Sequence, residues 1–339
     1  MSVPAPLTFS RATIWGVGHV DAPEVVTSDW IDEQLAETYE RCGVRPGLLA
    51  SVAGIEERRW WPQGVSFDEA AAMAGQVALD NAGVRPEDVD LLISTSVCKH
   101  HLEPSVACAV HFRLGLAPTC VNFDLGNACL GFINAMHVAA AAIETGQAKC
   151  ALIVDGEGSR HTQMATIERL RRNDATLGDV FAQFASLTLG SGGAAMVMGA
   201  PREGSHAFVG GITRADTRHH DLCVGDLDQM RTDTAGLLES GLALAEDAYE
   251  AAKAAGWQWE DCDRYVMHQV SAVHTAKLCE LLGVDMAKVP LAYPRQGNMG
   301  PAAVPHTLST IAGEIEPGER ILLMGIGSGL NCAGAELLW

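Results

Sequence analysis

A chain of 339 residues with 48% hydrophobic and 19% charged residues has material for two ordinary domains or one large duplicated one, and that balance excludes disorder. Lys+Arg number 23 against Asp+Glu 42, a formal charge of −19, which excludes nucleic acid and anionic membranes as partners and leaves any anionic substrate to a few local arginines. No apolar run approaches the ~20 residues of a membrane helix, and Met1-Ser-Val-Pro-Ala-Pro-Leu7 lacks the basic and apolar regions of a signal peptide, so a cytoplasmic protein without membrane insertion is expected.

In chain order, Gly16-Val-Gly18 is expected to end the first strand, since it lacks the third glycine and distant acid of a dinucleotide fingerprint. An alanine-rich amphipathic helix follows over Phe67–Asn81, closed by Gly83, then an acidic turn and a short apolar strand. The strand Cys120–Leu125 leads into a helix that ends at Gly146, and Cys150–Glu157 is an apolar strand running into a glycine turn. A charged helical stretch is expected over Gln163–Asn173, where Arg169-Leu-Arg-Arg172 forms a charged face. The polar segment Ala200–His206 marks a seam, and beyond it a helix over Leu237–Ala254 is closed by Gly256. Another glycine-bounded turn is Gln296-Gly-Asn-Met-Gly-Pro301, and Arg320–Gly327 is a last apolar strand before a glycine-rich ending.

Part of this pattern occurs twice. Ala82–Val97 lies over Ala255–Val270 without a gap, at an offset of 173 residues, and Cys150–Glu157 matches Arg320–Gly327 at an offset of 170. Two similar α/β halves related by a pseudo-dyad are the simplest architecture, with the first at 1–200 and the second at 201–339.

The repeat also locates candidate chemistry. Ten cysteines are scattered without a C-x-x-C pair, and most read as small buried hydrophobes. Cys129 differs, because it lies on a strand-to-helix turn where exposed N–H groups and the helix dipole favour thiolate. His268 ends a strand in the second half. Asn298 lies before a helix, 169 residues after Cys129 and so at the equivalent point of the other half. A pseudo-dyad brings such points together, and a Cys/His/Asn cluster for nucleophilic catalysis follows. His219-His220 and His268 with His274 have no third ligand at useful spacing, so no metal is expected.

Asn-Ala-Cys129, His268-Gln, Gly-Asn298-Met-Gly-Pro-Ala-Ala-Val-Pro305 and Gly325-Ile-Gly-Ser-Gly329 resemble the motifs of the thiolase superfamily, and more narrowly its ketoacyl synthase III branch. Within that branch the chain most resembles the acyl-CoA condensing enzymes of long-chain olefin biosynthesis. Val25-Val-Thr-Ser28, Val52-Ala-Gly-Ile55, Leu102-Glu-Pro-Ser-Val106, Leu187-Thr-Leu-Gly190, Leu222-Cys-Val-Gly225 and the ending Gly-Ser-Gly-Leu-Asn-Cys332 carry that likeness along the chain. The resemblance implies a layered α/β/α/β/α fold of two mixed five-stranded sheets. It implies that Cys129 is acylated by a first acyl-CoA while the backbone N–H groups of Cys129 and Ser328 hold the oxyanion. His268 and Asn298 would donate to the carbonyl oxygen of the second thioester.

Glu103 sets the reaction type. A decarboxylating synthase makes its carbanion by losing CO₂ and needs no base, whereas a glutamate here would take the α-proton of a second fatty acyl-CoA. The resemblance thus implies non-decarboxylative Claisen condensation in a homodimer, with Glu103 acting in trans. The residues alone also allow a helix-capping or solvated carboxylate, because Pro104 suits a first helical position. No cofactor is implied beyond the CoA thioester substrates. Arg58, Arg59 and Trp60 would grip the CoA nucleotide, or else pack on the core with solvated arginines. The tryptophan and arginine that clamp CoA in ketoacyl synthase III are replaced by Leu48 and Val52, which keeps an acyl-carrier-protein donor open. Leu189-Gly-Ser-Gly-Gly-Ala194 reads as the family's glycine turn beneath the site. A decarboxylating synthase and a subunit of a heteromeric β-lactone-forming pair are the alternatives, and enzymes of olefin or β-lactone pathways are the downstream partners implied.

Overall fold

The computed structural model describes residues 7–339; Met1–Pro6, the start of the segment expected to lack a signal, lie outside the described residues. The first part of the chain forms β1 (Leu7–Thr8), β2 (Thr13–Asp21), β3 (Glu24–Thr27), β4 (Glu57–Trp60), β5 (Leu91–Ser94), β6 (Val121–Asp124), β7 (Cys150–Glu157) and β8 (Gly192–Gly199). The second forms β9 (His206–Ala215), β10 (Cys223–Gly225), β11 (Met230–Thr232), β12 (Arg264–Met267), β13 (Arg320–Gly327) and β14 (Asn331–Leu338). The residues between β8 and β9 form a tight polar turn, held by Ser205 N–H on the Arg202 carbonyl (3.1 Å).

Two five-stranded mixed sheets result. One runs β6-β5-β7-β8-β2, and the other β12-β13-β14-β9 with β1 on β9. A short β2–β9 pairing, Thr13 with Ala207 and Ile14 with His206, joins them edge to edge. The fifth strand of the second sheet is therefore supplied by the N-terminal end of the chain. β3 pairs with β4 and β10 with β11 as separate ribbons.

The repeated segments fold alike. Helices Phe67–Ala82 and Thr234–Ala254 each pass through a glycine of positive φ, Gly83 (+61°) or Gly256 (+93°), then a single 3₁₀ turn, and then β5 or β12. Only glycine takes that left-handed backbone without strain. Alanine dominates the first helix for a packing reason. Gly16 and Gly18 lie inside β2, not at its end, and a Cβ on Gly18 would come within 2.5 Å of the Ala78 nitrogen. Small residues on both surfaces let the helix settle directly on the sheet.

Helices Gly131–Glu144 and Ala303–Ile311 form the middle layer. Phe132, Ile133 and Met136 from one pack with Val304 and Leu308 from the other in a core that also takes residues from β5, β9 and β13. Helices Phe67–Ala82 and Val106–Leu114 cover the outer face of the first sheet, and Thr234–Ala254 with Ala272–Leu282 that of the second. Each fully buried aliphatic side chain contributes about 1.5–3 kcal/mol, so the middle core fixes how the two halves meet. The expected charged stretch forms a helix at Arg160–Leu170, followed by a second at Leu177–Thr188 whose Thr176–Asp179 capping box starts it cleanly.

Candidate active site

Both middle helices begin beside the same cavity, and the turns that precede them carry Cys129 and Asn298. After β6 the chain turns through Leu125–Leu130, where Ala128 holds φ +44°, the one positive φ of a non-glycine among the described residues. Such a backbone costs about 1–2 kcal/mol and persists because its surroundings fix it. Leu130 N–H bonds the Asn127 carbonyl (3.0 Å), Asn127 Nδ2 donates to Asn134 Oδ1 (2.7 Å), and Asn331 Nδ2 of the second half donates to Asn127 Oδ1 (3.2 Å). The turn presents Cys129 to the cavity. The expectation of a thiolate is corrected. Burial pushes the Cys129 thiol up to about 12, with Cys223 and Glu157 adding to it. The helix starts only at Gly131, and its N-terminus does not offset that desolvation.

His268 follows β12 directly, its N–H bonded to the Met324 carbonyl of β13 (2.8 Å). Asn298 is held by its backbone on both sides, N–H to the Thr188 carbonyl (2.8 Å) and carbonyl from Gly190 N–H (2.8 Å). This explains the Leu189–Ala194 glycines, because a Cβ on Gly190 would overlap the Gln296 carbonyl oxygen. Gly300 N–H donates to Asn298 Oδ1 (3.0 Å), so the amide oxygen faces that way, and His268 Nε2, 3.1 Å from the same oxygen, carries a proton that it can turn from this oxygen to a carbonyl oxygen placed beside Asn298 Nδ2. The Asn298 Nδ2 group is left as a free donor. Burial pushes the His268 imidazole down to about 4, so it is a neutral donor at pH 7.

Gly327 and Ser328 enter from the end of β13. A Cβ on Gly327 would lie 3.4 Å from the Cys129 nitrogen, which shows how closely the two backbones approach. Neither the Cys129 nor the Ser328 N–H donates in any turn or side-chain hydrogen bond of the described residues. Cys129, His268, Asn298 and Ser328 line one cavity of about 690 Å³, whose remaining wall includes Leu237, Leu242, Leu278, Met324 and Ile326. Two donor pairs beside one thiol at the mouth of an apolar chamber suit nucleophilic acyl transfer on a long-chain thioester.

Glu103 is not part of this wall. It is exposed on the loop before helix Val106–Leu114, whose cap is Ser105 and not Glu103. Leu102 beside it is fully exposed, at 104%, and Phe112 on the following helix and Val121 at the start of β6 are exposed apolar residues as well, at 85% and 60%.

The expected CoA grip is corrected as well. Arg58 is fully buried and donates to the Val26 carbonyl (3.3 Å), the Leu187 carbonyl (3.1 Å) and Ser28 Oγ (3.1 Å). Burial lowers its pKa to about 10. Trp60 is buried with its indole N–H on Gln163 Oε1 (2.5 Å), and Arg59 pairs with Glu57 (3.3 Å). A guanidinium and an indole buried against protein partners are not available to a nucleotide, and Arg58 packs behind the Asn298 turn instead, its Cβ 3.1 Å from where a Cβ on Gly297 would lie.

Two groups went unnoticed in the sequence. Asp155 and Glu157, buried at the end of β7, bring acidic side chains to the inner layer, and Glu157 lines the cavity. The signal was an acid at i and i+2 in an otherwise apolar strand. His19, Asp21 and His306 also cluster, with His306 Nε2 and Asp21 Oδ1 2.7 Å apart and Gln296 Nε2 on the same oxygen (3.0 Å). Asp21 thus ties residues on either side of the Asn298 turn.

Comparison with known proteins shows the family. Residues 60–238 match the thiolase N-terminal domain, and residues 252–339 match the C-terminal domain of 3-oxoacyl-[acyl-carrier-protein] synthase III. The chain is 44% identical to the acyl-CoA:acyl-CoA alkyltransferase of Xanthomonas campestris pv. campestris and 31% identical to that of Shewanella oneidensis, covering 98% of this chain and 100% of the relative in each case. A solved cysteine-to-serine variant of Xanthomonas campestris OleA, with bound lauric acid and lauroyl-CoA, superposes with a TM-score of 0.95 at 43% identity over 98% of this chain and 100% of that one. The chain is a member of the thiolase superfamily, in the acyltransferase family of the acyl-CoA:acyl-CoA alkyltransferases.

Proposed function

We propose that this protein catalyses the head-to-head, non-decarboxylative Claisen condensation of two fatty acyl-CoA molecules, giving a 2-alkyl-3-ketoacyl product that leaves as the β-keto acid. Cys129 attacks the first thioester, its proton leaves with the CoA thiolate, and the tetrahedral oxyanion rests on the Cys129 and Ser328 N–H groups. His268 Nε2 and Asn298 Nδ2 receive the second thioester's carbonyl oxygen as its α-carbon becomes an enolate. Each such donor is worth about 3 kcal/mol of barrier. The observation that carries this reading is the convergence of Cys129, His268, Asn298 and Ser328 on one largely apolar chamber, in a chain 44% identical to an acyl-CoA:acyl-CoA alkyltransferase.

The base is Glu103 of a second copy. It does not line its own cavity, while exposed Leu102 beside it, exposed Phe112 and Val121 and the unpaired edge of β6 suit a partner subunit. Residues 1–200 and 201–339 act as two halves, one carrying the nucleophile and the other His268 and Asn298. The enzyme works in the cytoplasm as a homodimer, and its product passes to enzymes of olefin or β-lactone formation. Purified protein incubated with one saturated long-chain acyl-CoA and no malonyl donor forms the β-keto acid or its derived ketone, read by mass spectrometry. Acylated Cys129 without condensed product refutes the reading in favour of a malonyl extender.

A further inference from the structure

β7 reads Cys150-Ala-Leu-Ile-Val-Asp-Gly-Glu157 and is buried along its whole length. Side chains alternate across a sheet, so Asp155 and Glu157 share one face and Gly156 takes the other. Gly156 faces the outer helix, where a Cβ would overlap the Phe67 carbonyl oxygen. The two acids therefore point to the inner layer, and Glu157 reaches the cavity wall beside Cys129. Two buried carboxyls without an arginine or lysine partner are costly for a fold to keep.

Their surroundings are specific. Val97 N–H donates to Glu157 Oε1 (2.6 Å), which leaves the other carboxyl oxygen toward the cavity. The Thr95 hydroxyl bonds one Asp155 oxygen, and Asp155 Oδ1 finds no partner among the described residues. Across from Glu157 stands Gly300, whose N–H holds Asn298 Oδ1. Gly300 is required by its φ of +55°, and a Cβ there would make ordinary contact with Glu157, 3.8 Å from its carboxyl carbon, so the space between the acid and the Asn298 turn is about the size of one water. Burial pushes Glu157 up to about 7 and Asp155 well above the carboxylate range. The two carboxyls thus hold a proton more tightly than free carboxylates do, each through the other, and Glu157 is the member that opens on the cavity and can take and return a proton there.

We propose that Glu157 is the general base of a thioester hydrolysis step, taking a proton from a water between its carboxylate and the His268–Asn298 pair as that water attacks the thioester carbonyl of the 2-alkyl-3-ketoacyl-CoA product. This rests on the condensation proposed above and assigns the step that releases its β-keto acid. A C–O bond forms as the water O–H bond breaks, and the proton goes to Glu157. The oxyanion is received by His268 Nε2 and Asn298 Nδ2. Its collapse breaks the C–S bond, CoA leaves with the electron pair, and Glu157 returns the proton to the thiolate. β-Keto acid and CoA thiol result, with no change of oxidation state.

The test supplies a synthetic 2-alkyl-3-ketoacyl-CoA with saturated chains to the Cys129→Ala variant, which has no nucleophile, and measures CoA release with a thiol reagent. Cys129→Ala hydrolyses it, and adding Glu157→Gln lowers the rate about 10²–10⁴-fold. With Glu157→Gln alone and acyl-CoA as substrate, one CoA is released per condensation instead of two, and the β-ketoacyl-CoA accumulates. Glu157→Asp, which keeps the acid and shortens its reach, restores part of the hydrolysis and serves where the glutamine variant does not fold. Equal hydrolysis by Cys129→Ala with and without Glu157→Gln overturns the proposal, as does no hydrolysis by Cys129→Ala above the solvent rate. Failure of the condensation reading appears separately, as wild-type protein that makes no condensed product from acyl-CoA.

Discussion

If Glu103 serves the active site of a second copy, two inactive variants restore one another. Cys129→Ala removes the nucleophile, and Glu103→Ala removes a base whose loss costs about 10²–10⁴ in rate. Glu103 is exposed and absent from the cavity lined by Cys129, His268 and Asn298 of its own chain. In a mixed dimer one site therefore combines intact Cys129 from one protomer with intact Glu103 from the other, while the second site has neither. Random exchange of two equal pools gives half mixed dimers, each with one working site of two, so activity returns to about one quarter of wild type under two-fold symmetry. The assay co-expresses or co-refolds differently tagged variants, purifies the mixture and measures condensed product from a single acyl-CoA. Tandem-tag purification of mixed dimers alone raises the value to about one half. Activity no higher than the sum of the two parents refutes the argument, and places the base on the same chain as the thiol.

The remaining predictions address parts of the site separately. Arg58→Met removes three buried hydrogen bonds, although Gln163 Nε2 still holds the Leu187 carbonyl and Ser28 Oγ still bonds the Ile55 carbonyl; at about 1–3 kcal/mol for each bond lost, with losses that overlap and partners that remain, stability falls by about 2–4 kcal/mol in urea. The KM for acyl-CoA of the folded fraction is unchanged, and a raised KM with unchanged stability would restore Arg58 to the nucleotide. Because burial holds His268 near 4, below its ordinary 6.5, its neutral form contributes stability in full above 6.5, and that contribution is lost as pH falls toward about 4. The imidazole resonances of His268 accordingly do not titrate between pH 5.5 and 8 by NMR, and a midpoint near about 6.5 would contradict its buried, neutral state. Gly190→Ala pushes the Gln296 carbonyl and so the Asn298 turn, and a displacement of that kind costs condensation about 10²-fold. Acylation of Cys129 in that variant, read by intact mass, stays near wild type; an equal loss of both steps would show that the turn does not act through Asn298 alone.

The parts of this fold that the sequence made legible are those set by local rules repeated twice. The helix, glycine, turn and strand at residues 67–94 and 234–267 follow from apolar periodicity and one left-handed glycine each. The near equality of the Cys129–Asn298 spacing and the repeat offset then put Cys129 and Asn298 in the turns before the two middle helices. What stayed hidden depends on burial that composition does not express. Arg58-Arg59-Trp60 has the look of a solvated cationic patch, yet Arg58 meets carbonyls from residues 26 and 187 and a hydroxyl from residue 28, which no local pattern relates. The Cys129 turn reads as a thiolate site from its place before a helix, and desolvation outweighs the dipole there.

The same reasoning separates the three acids that bear on the chemistry. Glu103, Asp155 and Glu157 are each carboxylates near Cys129 in the fold or in the expected dimer, but their environments assign them different work. Glu103 is exposed on its own chain and lies outside the cavity of Cys129, so any part it takes in the chemistry depends on a second copy. Asp155 is enclosed on all sides and burial raises its carboxyl pKa, while Glu157 shares that enclosure but opens on the cavity. One site can thus hold a base that arrives with the second subunit for carbon–carbon bond formation and a resident base for release of the acid. On the proposed hydrolysis the water that Glu157 activates would be bound at the Asn298 turn, and a water held there rather than at the sulfur would spare the acyl-cysteine until the second acyl-CoA is bound.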